Sequence, residues 1–248
     1  MNNAERHQES LKRNLRGWEK KPLLRLIYRS FHELIAANVR GPATGLVVEL
    51  GSGIGNIKEA LPGCLRTDLF PHPWLDRVEN AYSLSFPDAS VSGLILFDVF
   101  HHLRHPGTAF KEFSRVLAPG GRVIIFEPSL SVLGYLIFGL LHPESLGLRE
   151  RIQWFAPPGW SAGDLDYYAA QANASRVFVR KEFETAMGDW KLLKVRRLSA
   201  ISYVASGGYS RPQLYPTFAL PLMRLIDKGC DLFPSLFATR LLVVLEKK

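Results

Sequence analysis

The sequence predicts an α/β protein: a doubly wound sheet of mainly parallel strands, with a helical, aromatic insertion after the fifth strand. Three observations predict it. A short apolar run, Leu46 to Leu50, opens directly onto alternating glycines at Gly51, Gly53 and Gly55. The stretch from Val91 to Pro128 gives strand, amphipathic helix, tight turn and strand, a βαβ unit that implies parallel pairing and a right-handed crossover. A last apolar run, Leu241 to Leu245, supplies one more buried strand after that alternation has stopped. A chain of 248 residues is long enough for one such domain with a substantial insertion.

Residues 1–40 form a basic helical segment, in which Leu23, Leu24, Ile27, Phe31, Leu34 and Ile35 recur at helical spacing until Gly41-Pro42. Residues 41–128 form the core of the fold. Within it Leu46–Leu50, Gly93–Phe97 and Arg122–Phe126 are buried strands. The helix over Pro106–Leu117 gathers Phe110, Phe113, Val116 and Leu117 on one face, and Pro119-Gly120-Gly121 is its expected stop. Residues 129–190 break the alternation with Trp154, Phe155, Trp160, Tyr167 and Tyr168, the acidic Asp164 and Asp166 nearby, and Pro157-Pro158-Gly159 interrupting them. Residues 191–248 return to the sheet, with a late strand over Leu192–Tyr203, a helix over Leu220–Leu232 and the terminal strand. There is no internal repeat and no low-complexity tract.

Composition excludes several classes. With 47% hydrophobic and 22% charged residues the chain is globular, not disordered. Cys64 and Cys230 lie far apart without metal-ligand spacing; they are expected as reduced thiols of a cytoplasmic protein, and no metal is expected. The N-terminus has no apolar core after its charges and is not expected to be a secretory signal. The longest apolar run, Leu130–Leu141, falls short of the ~20 residues that span a bilayer. Of the net charge of +8, residues 1–40 contribute nine Lys/Arg against four Asp/Glu. That excess suits an anionic partner, with peripheral contact at an anionic membrane as one option; a solvated basic face is the simpler reading. No motif points to nucleic acid.

The chemistry concentrates in Glu49-Leu50-Gly51-Ser52-Gly53-Ile54-Gly55-Asn56. Glycines there let the backbone turn sharply and approach a ligand closely, and a helix beginning there offers N–H groups to an anion. The dinucleotide fingerprint G-x-G-x-x-G needs a glycine where this chain has Asn56, and Glu49 stands two residues before the first glycine. The pattern continues at Thr67-Asp68-Leu69, at Asn80-Ala81, through Leu84–Asp88, at Phe100-His101-His102-Leu103 and through Arg115–Val123. In this combination and order, roughly residues 46–128 resemble class I methyltransferases dependent on S-adenosylmethionine (SAM), and the close of the chain looks like a little-characterised bacterial group of them.

The resemblance implies a Rossmann-like domain with definite roles. Gly51, Gly53 and Gly55 pass under the methionine portion of SAM, and Glu49 faces its ammonium. Asp68, followed by Leu69, accepts hydrogen bonds from the ribose hydroxyls. Asn80 and Ala81 meet the adenine edge, and Phe97 lies beside the methionine arm. Open parallel sheets bind ligands at such strand ends on physical grounds as well. The bland reading of Asp68 is a turn residue before Pro71. Four departures stand out: twelve residues between Gly55 and Asp68 leave room only for a short helix, Asp68 to Asn80 is too brief for a full one, Asn80 stands where Asp is usual, and Ser92 replaces an Asp.

For the acceptor, His101 and His102 are the candidate catalytic bases, since imidazole suits proton transfer near neutral pH. Neighbouring residues point different ways, so at most one is expected to face the cleft. Residues 129–190 are the expected acceptor lid, suited to a small or lipid-like molecule. Two other readings remain: a nicotinamide-dependent oxidoreductase on the same fold, which Asn56 and Glu49 disfavour, and a non-catalytic SAM-binding module, which the intact glycines and Asp68 disfavour.

Overall fold

A computed structural model of the chain, describing residues 3–39, 41, 43–163 and 167–248, contains a seven-stranded sheet. Its strands are β1 (Leu46–Leu50), β2 (Leu65–Asp68), β3 (Arg77–Val78), β4 (Val91–Phe97), β5 (Leu117–Pro128), β6 (Trp190–Leu198) and β7 (Arg240–Lys247). They run in the order β3-β2-β1-β4-β5-β7-β6, and β7 lies antiparallel between β5 and β6 while the pairs from β3 to β5 are parallel. The order reverses direction between β1 and β4, and a crevice opens at such a point beyond the carboxyl ends of the strands. Pro42, Asp164 and Asp166 lie outside the described residues.

Two layers cover the sheet, which is why its central strands are continuous apolar runs. In β4, Leu94 and Leu96 face a core with Val48, Leu50, Phe110, Phe113 and Trp154. Ile95, pointing the other way, packs with Ile35, Val39, Ile124 and Phe126. The first core is closed by α3 (Pro106–Val116) and the inserted segment, the second by α2 (Pro22–Val39). Before α2 comes α1 (Asn3–Lys20), and Lys21 breaks the two apart because Pro22 begins a new helix.

The structure corrects three boundaries. Helix α3 ends at Val116 and the chain is already extended at Leu117 (ψ 134°), so Pro119-Gly120-Gly121 lies within β5 and does not stop the helix. These residues form an irregularity in the pairing, which passes from Leu117 opposite Val91 to Arg122 opposite Gly93. The late strand ends at Leu198; Ala200 adopts a left-handed φ of 46° and turns the chain into α5 (Ile201–Ala205), so Tyr203 is helical. The helix of the last insertion, α6 (Leu220–Cys230), stops short of Leu232 and is followed by α7 (Pro234–Phe237).

The described residues of the 129–190 segment have little regular helix. After α4 (Val132–Leu136) and a single wide turn to Leu141 it is mostly irregular, held by rings such as Trp154 stacked on Phe183 at 4.5 Å. Much of the apolar run is exposed, Leu140 to 71% and Val132 to 57%. Among the described residues no helix is long and apolar enough to cross a membrane.

Candidate active site

The turn after β1 is built from glycine because its backbone demands it. Gly51, Gly53 and Gly55 have φ of 66°, 53° and 70°, the left-handed region that side chains disfavour. At Gly51 a Cβ would also stand 2.5 Å from Val99 Cγ2. A single 3-10 turn, Asn56–Glu59, follows, as the short spacing requires. The turn is tied to the end of β2 by the Ser52 N–H on Thr67 O (2.8 Å) and the Thr67 hydroxyl on Glu49 O (2.8 Å). Asp68 completes the tie: its Oδ2 accepts the Gly53 N–H at 3.0 Å and its Oδ1 the Leu69 N–H at 2.7 Å.

Glu49 is buried beneath this turn, and its Oε2 has no hydrogen-bond partner. Burial pushes its carboxyl up to about 7; the charge of Asp68 adds to that shift and a Ser52 hydrogen bond opposes it. An unpartnered buried carboxylate oxygen beside a glycine turn fits a ligand bearing an ammonium.

Helix α1 lies across the same turn. The Leu11 side chain is buried there, with Cδ2 3.7 Å from where a Cβ on Gly53 would stand. His7 Nε2 sits 3.5 Å from Asp68 Oδ1, and its ring lies against Phe70 and His72 at 5.1 and 5.5 Å. An imidazole therefore stands beside Asp68, without a hydrogen bond to it. Asn80 is also engaged within the protein: its Nδ2 donates to Ala162 O (2.8 Å) and its Oδ1 accepts from the Tyr82 N–H (3.0 Å). Ala81 packs partly buried against the core, and Leu69 is exposed on the rim.

At the carboxyl end of β4, Phe97 sits among Tyr28 (5.4 Å) and Phe126 (5.1 Å). Asp98 beyond it takes a left-handed φ of 55° and pairs with Arg240 at the start of β7. The buried guanidinium lies 4.6 Å from the Tyr203 ring and 5.7 Å from those of Phe97 and Phe126. The sequence signal for this pair was an arginine opening an otherwise apolar strand. Glu127, near the end of β5, is fully buried. Its Oε1 accepts the N–H groups of Val99 (2.7 Å) and Phe100 (2.6 Å), and its Oε2 meets His101 Nδ1 at 2.6 Å.

Those bonds fold Phe100–His102 into a single 3-10 turn that brings the two imidazoles together, centroids 4.1 Å apart. The expectation that the neighbours point apart fails here: opposite orientation belongs to a strand, and this is a tight turn. His102 Nδ1 lies 2.8 Å from Tyr168 O, and Glu144, from the inserted segment, places Oε2 3.5 Å from His101 Nε2.

Residues 48–125 match the family described as methyltransferase domain. The chain carries a class I methyltransferase domain. A curated relative, the O-methyltransferase cnsE of Penicillium expansum, is 29% identical over 120 residues, 48% of this chain and 41% of the relative, so the chain spans about two fifths of its length. Among solved structures, YcgJ of Bacillus subtilis is 15% identical with a TM-score of 0.47, over 88% of this chain and 97% of that one. A geranyl diphosphate C-methyltransferase of Streptomyces coelicolor, solved with Mg2+, a substrate analogue and S-adenosyl-L-homocysteine, is 13% identical with a TM-score of 0.48, over 88% and 76%.

In this methyltransferase domain the two histidines are driven to opposite charge states. Burial alone would push His101 down, but Glu127 and Glu144 outweigh it and raise it to about 10. Burial and the neighbouring His101 charge push His102 down to about 4. Near neutral pH the pair is one imidazolium and one neutral imidazole. Glu144 would be raised by burial, yet His101 holds it well below the usual carboxylate range.

Proposed function

We propose that this domain binds SAM and transfers its methyl group to a small-molecule acceptor. The observation that carries the reading is Glu49, whose buried Oε2 has no partner under a turn of three left-handed glycines. SAM supplies an electrophilic methyl group on a sulfonium; the residues of the chain bind and position. Gly51, Gly53 and Gly55 leave the backbone bare against the methionine portion, Glu49 meets the ammonium, and Phe97 walls the methionine arm. Asp68 takes the ribose hydroxyls once His7 gives way, and Ala81 with Asn80 borders the adenine side.

In-line transfer is accelerated mostly by holding the acceptor in place. The His101–His102 turn stands beyond β4, and residues 129–190 close over it as the acceptor lid. A backbone carbonyl can only accept, so the contact of His102 Nδ1 with Tyr168 O puts its proton on Nδ1 and leaves Nε2 with a lone pair. That nitrogen is the proton acceptor for a hydroxyl substrate; His101, fixed by Glu127, is the positioning residue beside it. Calorimetric titration with SAM and with NAD separates this reading from an oxidoreductase, since only SAM should bind. Turnover of SAM to S-adenosylhomocysteine in a metabolite extract separates it from a non-catalytic module, and no turnover with any fraction would overturn transfer.

A lipid-like acceptor, reached at a membrane surface, is favoured by one observation. Leu140, Phe218 and Leu232 are 71%, 85% and 76% exposed, large apolar side chains that could enter a lipid surface. The basic N-terminal segment contributes less than its charge suggests, because Lys21 donates to the backbone oxygens of Gly208 and Arg211. Sedimentation with anionic liposomes tests it; no binding at low salt would remove the membrane part.

A further inference from the structure

We propose that His101, His102 and Glu144 form a site for one divalent transition-metal ion at the acceptor side of the cleft. One ligand atom from each lies within 4.8 Å of the others. The sequence prompted no metal expectation because it shows two adjacent histidines on the core and one acid well separated from them, in the first part of the insertion. Folding puts them together.

Three features mark this group as more than a buried ion pair. The far nitrogens of both rings are engaged, His101 Nδ1 by the Glu127 carboxylate at 2.6 Å and His102 Nδ1 by the Tyr168 carbonyl at 2.8 Å. Each acceptor fixes the proton on Nδ1, so both Nε2 atoms carry a lone pair when the rings are neutral. That is how imidazole ligands of metals are oriented. Second, the 3.5 Å between His101 Nε2 and Glu144 Oε2 is long for a hydrogen bond between them. Two ligands bonded at about 2.0–2.1 Å to one tetrahedral ion stand about 3.4 Å apart. Third, Glu144 is itself held, by the Tyr167 hydroxyl at 2.5 Å and by the Gln171 amide. A simple ion pair of His101 with Glu127 requires neither the second imidazole nor this support.

Two nitrogen donors and one carboxylate suit Zn2+ and its first-row neighbours better than Mg2+ or Ca2+, which take oxygen donors. Three protein ligands leave a coordination position open toward the cleft. On the methyl-transfer reading, which this role presupposes, an acceptor oxygen would occupy that position and the ion would favour its deprotonated form. Metal occupancy then takes over the task otherwise falling to His102 Nε2.

The test is titration of full-length, chelator-treated protein with Zn2+ by calorimetry, and with Co2+ by visible absorption. One ion per chain is expected. His102→Ala and Glu144→Gln should each weaken Zn2+ at least about tenfold, and Glu127→Gln, which removes no ligand, by about 10–100-fold. Glu144 lies in the irregular insertion, so its variant tests the site even if His102→Ala fails to fold. No stoichiometric Zn2+ binding, or unchanged affinity in folded Glu144→Gln, overturns the site. SAM titrated into the same preparations distinguishes the two readings: SAM binding without Zn2+ overturns the metal site alone, and Zn2+ binding without SAM upholds the site while removing its role in transfer.

Discussion

Replacing Glu49 by Gln tests the cofactor site through pH. A glutamate titrates near 4.5 in an unfolded chain, and burial holds this one at about 7 in the folded chain. A raised carboxyl means the folded chain keeps its proton longer. The stability it carries is complete below 4.5 and is lost as pH rises through 7. At about 1.4 kcal/mol for each pH unit between the two values, the loss is about 3 kcal/mol. Gln cannot ionise, so Glu49→Gln should match the wild type most closely in acid and gain on it by about 3 kcal/mol toward pH 8. The amide brings its own buried N–H group, a cost that does not vary with pH; the slope of the difference is therefore the test. Urea unfolding at half-unit pH steps measures it. SAM should reverse the order, because its ammonium meets the ionised Glu49: wild-type affinity should rise by up to about a hundredfold between pH 5 and 7.5, and that of Glu49→Gln should stay weak and flat. A pH-independent stability difference, or equal SAM affinity in the two proteins, would refute the reasoning.

Asp68→Ala should weaken SAM by about 1–3 kcal/mol in calorimetry. Since Asp68 also holds the Gly53 and Leu69 N–H groups, the melting temperature should fall, and an equal loss of affinity for methionine would assign Asp68 to the loop alone. His7→Ala should strengthen SAM severalfold by clearing the face of Asp68, and unchanged affinity would show that α1 moves aside freely. Asp98→Ala should cost about 3–5 kcal/mol in urea unfolding by leaving the Arg240 guanidinium buried and unpaired, with Arg240→Met milder than that; equal stability would place the support of β7 elsewhere.

The fold was legible where one residue type answers to one physical demand. Leu94, Ile95 and Leu96 are all buried because helices cover both faces of β4, and a strand with two covered faces has no alternation to hide its length. The glycine turn was legible because Gly51, Gly53 and Gly55 all need left-handed backbone. What escaped were placements rather than elements. The stripe on α2 identifies a helix, but nothing in α1 says that Leu11 and His7 come to rest on the turn after β1.

The turn at His101 and His102 shows the same limit in sharper form. Glu127 and Arg240 stand at the ends of apolar strands, where an unpaired charge would cost several kcal/mol or more, so their presence demands partners without naming them. Glu127 finds its partners in the N–H groups of Val99 and Phe100 and in His101; Arg240 finds its own in Asp98. Because Glu127 closes the 3-10 turn, it also decides where the two imidazoles point. That makes a residue on a core strand responsible for the geometry of this turn, while Glu144 and Tyr168, which meet the two imidazoles, come from the irregular inserted segment. The cofactor half is thus set by backbone requirements that leave a trace in sequence. The turn at His101 and His102 is set by side chains meeting across the fold, from β5 through Glu127 and from the inserted segment through Glu144, and no single stretch of sequence displays that meeting.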